Sequence, residues 1–335
     1  MSGSSKARTI NWYRTPVDGH AMHNLNQRSD WKGLCQAMGH LGLIFLTGTL
    51  AWKVQGRLYL LLPVLLAYGT FYIFLLNATH ELCHRTVFKT RWLNEVFLRL
   101  FCFLGWRSHI DFWASHAEHH KYTLHPPDDL EVVLPARLTL MNFIRLGFVD
   151  PWTFCSTIKT HLEHSCGVIK GEWPNHLFPL EDRAGRRRLF WWARFLLAGH
   201  GAIVGLSFYY GLWLLPVLTT CGVFYGGWLR YLCNGTQHSG LQDDVVDFRL
   251  CTRTVILNPF VRFLYWHMNY HIEHHMFVAV PCYNLGKLHE AIKHDLPASP
   301  RGLIAAWRSI IRIVKRQRVD PGYQFVPQLP PQAGG

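Results

Sequence analysis

Three histidine-rich boxes hold eight of the chain's 21 histidines. They read H-E-L-C-H from His80 to His84, H-A-E-H-H from His116 to His120 and H-I-E-H-H from His271 to His275. Residues three and four apart share one face of a helix, so each box is expected to turn two or three imidazoles toward one point. Neutral imidazole suits iron, zinc and copper. Eight imidazoles overfill one tetrahedral ion, whereas divided over two ions they leave positions open for dioxygen or water. A ninth candidate is His238 in N-G-T-Q-H-S-G-L, with Asn234 four residues before it. Each box carries one acid, Glu81, Glu118 and Glu273, of the kind that hydrogen-bonds the second nitrogen of a ligating imidazole. Asp128, Asp129, Asp243, Asp244 and Asp247 are further candidates for that role.

The apolar runs say what must position these boxes. Residues 34–52 and 58–76 each approach the roughly 20 residues that cross a hydrocarbon core about 30 Å thick. The short link between them predicts a transmembrane hairpin. Residues 190–210 and 212–232 predict a second one. The shorter apolar stretches 93–106 and 250–266 lead into the second and third boxes and read as interfacial or re-entrant approaches. The expected organisation is a polar N-terminal segment 1–33, poorly ordered or surface-lying over 1–30, a membrane domain 34–300, and a basic amphipathic segment with a disordered Pro-rich tail over 301–335. Four spans put both termini on one side. The positive-inside rule makes that side, with all three boxes, cytoplasmic, although Lys53 and Arg57 fall in the opposite loop.

Only 16% of the residues are charged, lean for a soluble enzyme, and the net charge is +13. The basic residues sit between apolar runs, as in Arg183, Arg186, Arg187 and Arg188, and form no face interleaved with stacking aromatics. That distribution fits anionic lipid and argues against nucleic acid. The nine cysteines contain no C-x-x-C pair, so no zinc ribbon or ferredoxin-like cluster is encoded.

The H-x-x-x-H, H-x-x-H-H, H-x-x-H-H order, with hairpins between the boxes, resembles the membrane fatty acid desaturase and hydroxylase superfamily over about residues 34–300. Within it, N-P-F-V-R-F-L-Y-W-H-M-N-Y-H-I-E-H-H-M-F (258–277) resembles the bacterial hydrocarbon-oxygenase or rhizopine-catabolism-type branch. The resemblance implies an all-α integral membrane fold with four transmembrane helices and a cytosolic helical di-iron cap. It implies dioxygen-dependent attack on an unactivated C–H bond of a lipophilic, fatty-acyl-like substrate. Carried over by motif, the ligands of two iron ions are His80, His84, His116, His119, His120, His238, His271, His274 and His275. Asn234 resembles the asparagine that approaches one iron through water in acyl desaturases. Neither a haem-binding signature nor a cysteine cluster accompanies the boxes, so the expected electron donor is a separate ferredoxin, reductase or cytochrome-type partner. The host membrane is a bacterial inner membrane or the endoplasmic reticulum.

Three other readings stand beside desaturation. N-x-x-[EQ]-H-x-G-L resembles a motif of membrane alkane hydroxylases, which insert oxygen on the same scaffold. A zinc-dependent membrane hydrolase keeps three protein ligands and a water, which nine histidines overfill. A metal transporter predicts ionisable residues inside the spans, where this chain has few. Outside the boxes, His40 and His200 read as satisfied interior histidines. His161 and His164 form H-L-E-H in a polar loop, and His267 lies one turn before His271.

Overall fold

The computed structural model describes residues 8–134 and 138–331; the first seven residues of the N-terminal segment and the last four of the tail lie outside these. The described residues are helical, with no strand among them beyond isolated bridges. Three helices are long and apolar enough to cross a membrane: Asp30–Val54, Leu58–Cys83 and Arg183–Tyr209. Ser29 caps the first by accepting from Lys32 N, and Asp182 caps the third by accepting from Gly185 N. The second bends at Phe74, where Leu58–Ile73 gives way to Leu75–Cys83. The three-residue link after Val54 makes the first two helices antiparallel neighbours. Phe45, Leu46, Leu62, Phe195 and Phe208 point away from the protein, as a hydrocarbon-facing surface requires.

The predicted fourth span is not a helix. Residues 212–232 break into Leu214–Leu218, a 3₁₀ turn at Gly222–Phe224 and the start of Trp228–Asn234. Mean hydropathy cannot register the cause, which is Pro216 followed by Gly222, Gly226 and Gly227. Unpaired backbone is costly at membrane depth, and side chains satisfy it here. Tyr68 Oη donates to Leu218 O at 2.6 Å, Tyr72 Oη to Thr219 O at 3.0 Å and Trp106 Nε1 to Thr220 O at 2.8 Å. The broken segment returns the chain to its starting side. At one end, Trp192 Nε1 donates to Arg107 O at 2.9 Å, beside the second-box helix; at the other, His238 lies among the box histidines.

The return depends on a close backbone crossing. Gly226 has φ +72°, and a Cβ on it would meet Thr70 N at 2.5 Å and Leu66 O at 2.8 Å. Gly226→Ala is expected to destabilise the protein by about 2 kcal/mol or more, from left-handed strain plus overlap with rigid backbone. Thermal unfolding in detergent checks this against Gly42→Ala, whose Cβ meets nothing within 4 Å and which should leave the midpoint unchanged or slightly raised.

The approaches to the boxes differ from each other. Arg91–Leu104 is one 14-residue helix packed on Leu75–Cys83, whereas 250–266 is interrupted, with Pro259–Leu264 its only helix of more than four residues. The N-terminal segment is not loose where it is described. Trp12 stacks on Phe248 at 4.1 Å, Tyr13 N donates to Val246 O at 2.9 Å, and Tyr13 Oη and Thr15 Oγ1 both donate to Asp295 at 2.7 Å. Nor is the tail free where it is described, because Phe325 N donates to Gly240 O at 2.9 Å and the Arg316 guanidinium lies over Tyr323. Before it, Gly302–Val319 buries Ala306, Ile310 and Ile313 and leaves its basic residues outward.

Candidate metal centre

The first box ends the second long helix, beyond the bend at Phe74. The second occupies His109–Tyr122, whose N-terminus is capped by Ser108 accepting from Asp111 N. The third is the short helix His271–Met276. These elements converge. His80, His84, His116, His120 and His274 each bring a ring nitrogen within 4.8 Å of the others, and His119, His238 and His275 do the same in a second group. His271 joins the second group, with its Nε2 2.9 Å from His238 Nε2 and 3.2 Å from His275 Nε2. The groups adjoin, the rings of His120 and His275 lying 4.5 Å apart.

The first box serves the first group alone, whereas the second and third boxes each serve both. His116 and His120, four apart, share the first group, while His119 turns to the second. His271 and His275 likewise share the second group, and His274 crosses to the first. Adjacent helical residues diverge by about 100°, so an H-H pair is aimed at two centres rather than one. The paired box therefore ties the two groups together.

The surroundings fix which nitrogen faces inward. His116 Nδ1 donates to Glu131 Oε1 at 2.9 Å, His119 Nδ1 to Asp129 Oδ2 at 2.8 Å and His238 Nδ1 to the Cys251 carbonyl at 2.9 Å. Thr123 Oγ1 gives its own proton to His119 O, so it accepts from His275 Nδ1 at 3.2 Å. In each case Nε2 is left as the inward lone pair. Four Nε2–Nε2 contacts of 2.9 to 3.2 Å result, and His84 Nε2 is buried with no partner among the described residues. Facing lone pairs at that spacing repel unless a proton or a cation lies between them, so the arrangement fits metal ions held by imidazole. Burial pushes the pKa down to about 3 for His84 and for His238, and lowers it for His116, His120, His271, His274 and His275. These rings stay neutral and available well below neutral pH. His119 is the exception: burial lowers it, but the hydrogen bond and charge of Asp129 raise it overall.

The box acids divide. Glu81 reaches His80 Nδ1 at 3.3 Å and lies 3.6 Å from His274 Nδ1. Glu118 does not touch the site; it sits about 200° round the helix from His116 and pairs with Lys121 at 3.8 Å. Glu273 is fully buried but turned away, bonded to Thr254 Oγ1 and His289 Nδ1. Asn234 accepts from Asn77 Nδ2 at 3.3 Å and lines a cavity with His238 without bonding a site imidazole. Of the five aspartates, Asp129 alone bonds a box histidine; Asp247 caps Phe248–Cys251 and pairs with Arg249, and Asp243 bonds Gln324. Glu131 and Thr123 act on the site from outside the boxes, and only the fold identifies them.

His40, His161 and His200, outside the boxes, are satisfied by other partners on at least one ring nitrogen. His40 Nε2 donates to Phe71 O at 2.8 Å while its Nδ1 accepts from Trp266 Nε1 at 2.9 Å, and His200 bonds Phe103 O and Thr220 Oγ1. His161 donates to Trp106 O at 3.0 Å and lines the cavity with His164. His267 joins neither group.

A search of curated proteins found no match. A family model described as fatty acid desaturase matches residues 57–307, which include all nine clustered histidines and more than half of the chain. The converging boxes on apolar helices and that match lead to one conclusion: the chain belongs to the fatty acid desaturase family.

Proposed function

We propose that the protein is a di-iron, dioxygen-dependent membrane oxidase that desaturates an unactivated C–C bond of a lipophilic, fatty-acyl-like substrate. The observation that carries this reading is the pair of adjoining, largely buried, imidazole-only groups, five histidines in one and His119, His238, His271 and His275 in the other. Two ions held by these nine imidazoles would keep room for a further ligand, which a closed structural site lacks. Iron bound there would supply the redox chemistry that activates dioxygen and removes hydrogen from carbon.

The chain's own residues do the rest. Glu131, Asp129, Thr123 and the Cys251 carbonyl hold Nδ1 protons and keep each Nε2 aimed inward. A cavity of about 670 Å³ reaches His238 between apolar walls that include Ile73, Leu76 and Phe224, room for a lipophilic substrate. Desaturation takes one dioxygen, two hydrogens from substrate, two electrons and two protons, and releases two waters. The electrons come from a separate ferredoxin, reductase or cytochrome-type donor. With Arg183, Arg186, Arg187 and Arg188 beside the histidine end, we place that end on the cytoplasmic side. Within the family, the 258–277 motif favours the bacterial hydrocarbon-oxygenase branch. Hydroxylation is the second reading, favoured by the position of Asn234 and His238 of N-G-T-Q-H-S-G-L on one cavity wall.

Detergent-purified protein is expected to carry about two irons per chain and to consume dioxygen when reductase and ferredoxin are supplied. Product mass separates loss of two hydrogens from gain of one oxygen. One zinc per chain without uptake would overturn the reading in favour of a hydrolase.

A further inference from the structure

The cavity that reaches His238 is not lined as a hydrocarbon channel would be. Arg107 and Arg230 both line it, one just after Arg91–Leu104 and the other within Trp228–Asn234. Arg230 Nε donates to Asn77 Oδ1 at 2.9 Å. Arg107 Nη1 donates to Leu76 O at 3.0 Å and Thr79 Oγ1 at 3.2 Å, and its guanidinium lies 4.3 Å over the Phe112 ring. These contacts orient both groups and neutralise neither. Among the described residues no carboxylate lies within ion-pair distance of either guanidinium, and Arg230 Nη1 and Nη2 have no protein acceptor. Two aspartates share the cavity wall. Asp150 is occupied by Thr153 N and Oγ1, and Asp111 and Glu131 act on Arg107 only from beyond ion-pair reach. Two unpaired guanidinium groups in one partly apolar cavity are costly, and a planar oxyanion offers the acceptors they lack.

We propose that Arg107 and Arg230 bind a carboxylate on the substrate, so that the enzyme acts on a lipophilic free acid rather than on a hydrocarbon or a neutral ester. This deepens the oxidase reading and rests on it. Asn77 and Phe112 set the two guanidinium planes, and the apolar wall carries the rest of the molecule toward His238.

The test is calorimetric titration of the metal-loaded protein in phosphatidylcholine nanodiscs, with empty nanodiscs as the blank, using octanoate and methyl octanoate as probes. Octanoate is expected to bind about ten- to a hundredfold more tightly than the ester, the range for hydrogen bonds to a charged group. Arg230→Gln and Arg107→Gln should each remove most of that preference, and Arg230→Lys should restore part of it, with thermal midpoints showing that the variants are folded. Equal affinities, failure of octanoate to bind, or a preference that survives Arg230→Gln would overturn the proposal. Binding is read without turnover, and metal is counted on the same sample. A protein that holds zinc yet discriminates acid from ester through the arginines would sink the oxidase reading and leave the carboxylate site standing.

Discussion

His274→Ala is expected to abolish turnover and to remove about one of two bound metal ions, while the three long helices stay inserted. His274 is the one residue of the third box that belongs to the first group, where its Nε2 stands 3.1 Å from that of His120. It therefore links His271–Met276 to the helices that carry the first two boxes. Alanine leaves four imidazoles around that centre and opens its coordination to water. The loss should exceed the roughly 10- to 100-fold that follows removal of an outer partner of a ligand. His267→Ala is the control: it lies one turn before His271, belongs to neither group, and should keep both metal and turnover. Metal analysis with reductant-dependent dioxygen uptake checks both variants. Retained turnover in His274→Ala would remove the third box from the first centre, and lost metal in His267→Ala would show that the box begins a turn earlier.

Much of this site could be read from the sequence because helical spacing determines where a box points. The nine histidines named from their motifs are the nine that the fold brings together. What spacing could not give was the partition between two groups, which depends on the angle at which three helices meet. The acids were harder still. A glutamate inside a box looks close in sequence, yet Glu118 faces outward because helical rotation carries it off the inner face. Asp129 and Glu131 lie 10 and 15 residues beyond their histidines, and the loop after Tyr122 folds them back. No periodicity marks such a contact.

The same limit applies to the membrane part. Hydropathy over 212–232 matched a span because burial in protein and burial in lipid select the same side chains. The break is encoded by Pro216 and the glycines, but its tolerance is encoded elsewhere, in Tyr68, Tyr72 and Trp106, whose polar atoms satisfy the exposed carbonyls. The contacts of the N-terminal segment are illegible in the sequence for a related reason. Its polar composition says nothing of Asp295, which gathers Tyr13 and Thr15 of that segment together with Arg249.

Asp129→Asn is expected to lower metal affinity by about 10- to 100-fold and activity with it, although asparagine has nearly the same shape. Asp129 is fully buried and accepts three hydrogen bonds: His119 Nδ1 and Leu124 N on Oδ2, both at 2.8 Å, and Glu131 N on Oδ1 at 2.9 Å. An amide offers one acceptor oxygen and one NH₂, so whichever way it turns, at least one of these donors faces another donor. If the NH₂ faces Nδ1, His119 must present its proton at Nε2, the position that should carry the lone pair. If it faces Glu131 N, the loop that brings Glu131 to His116 loosens. Both routes damage a centre, and the orphaned donor should also lower stability by about 1–3 kcal/mol. The pH response should change in sign-specific fashion. Asp129 is held below the usual carboxylate range, burial opposing but the His119 contact prevailing, and in return it raises His119. In the wild type, protons therefore compete with metal at His119 before the other buried rings as pH falls. In the variant that raised pKa is lost, so the remaining, weaker metal binding should hold to lower pH. Metal affinity measured from pH 5 to 8 on both proteins checks this, and an unchanged affinity at neutral pH would show that Asp129 supports the loop alone.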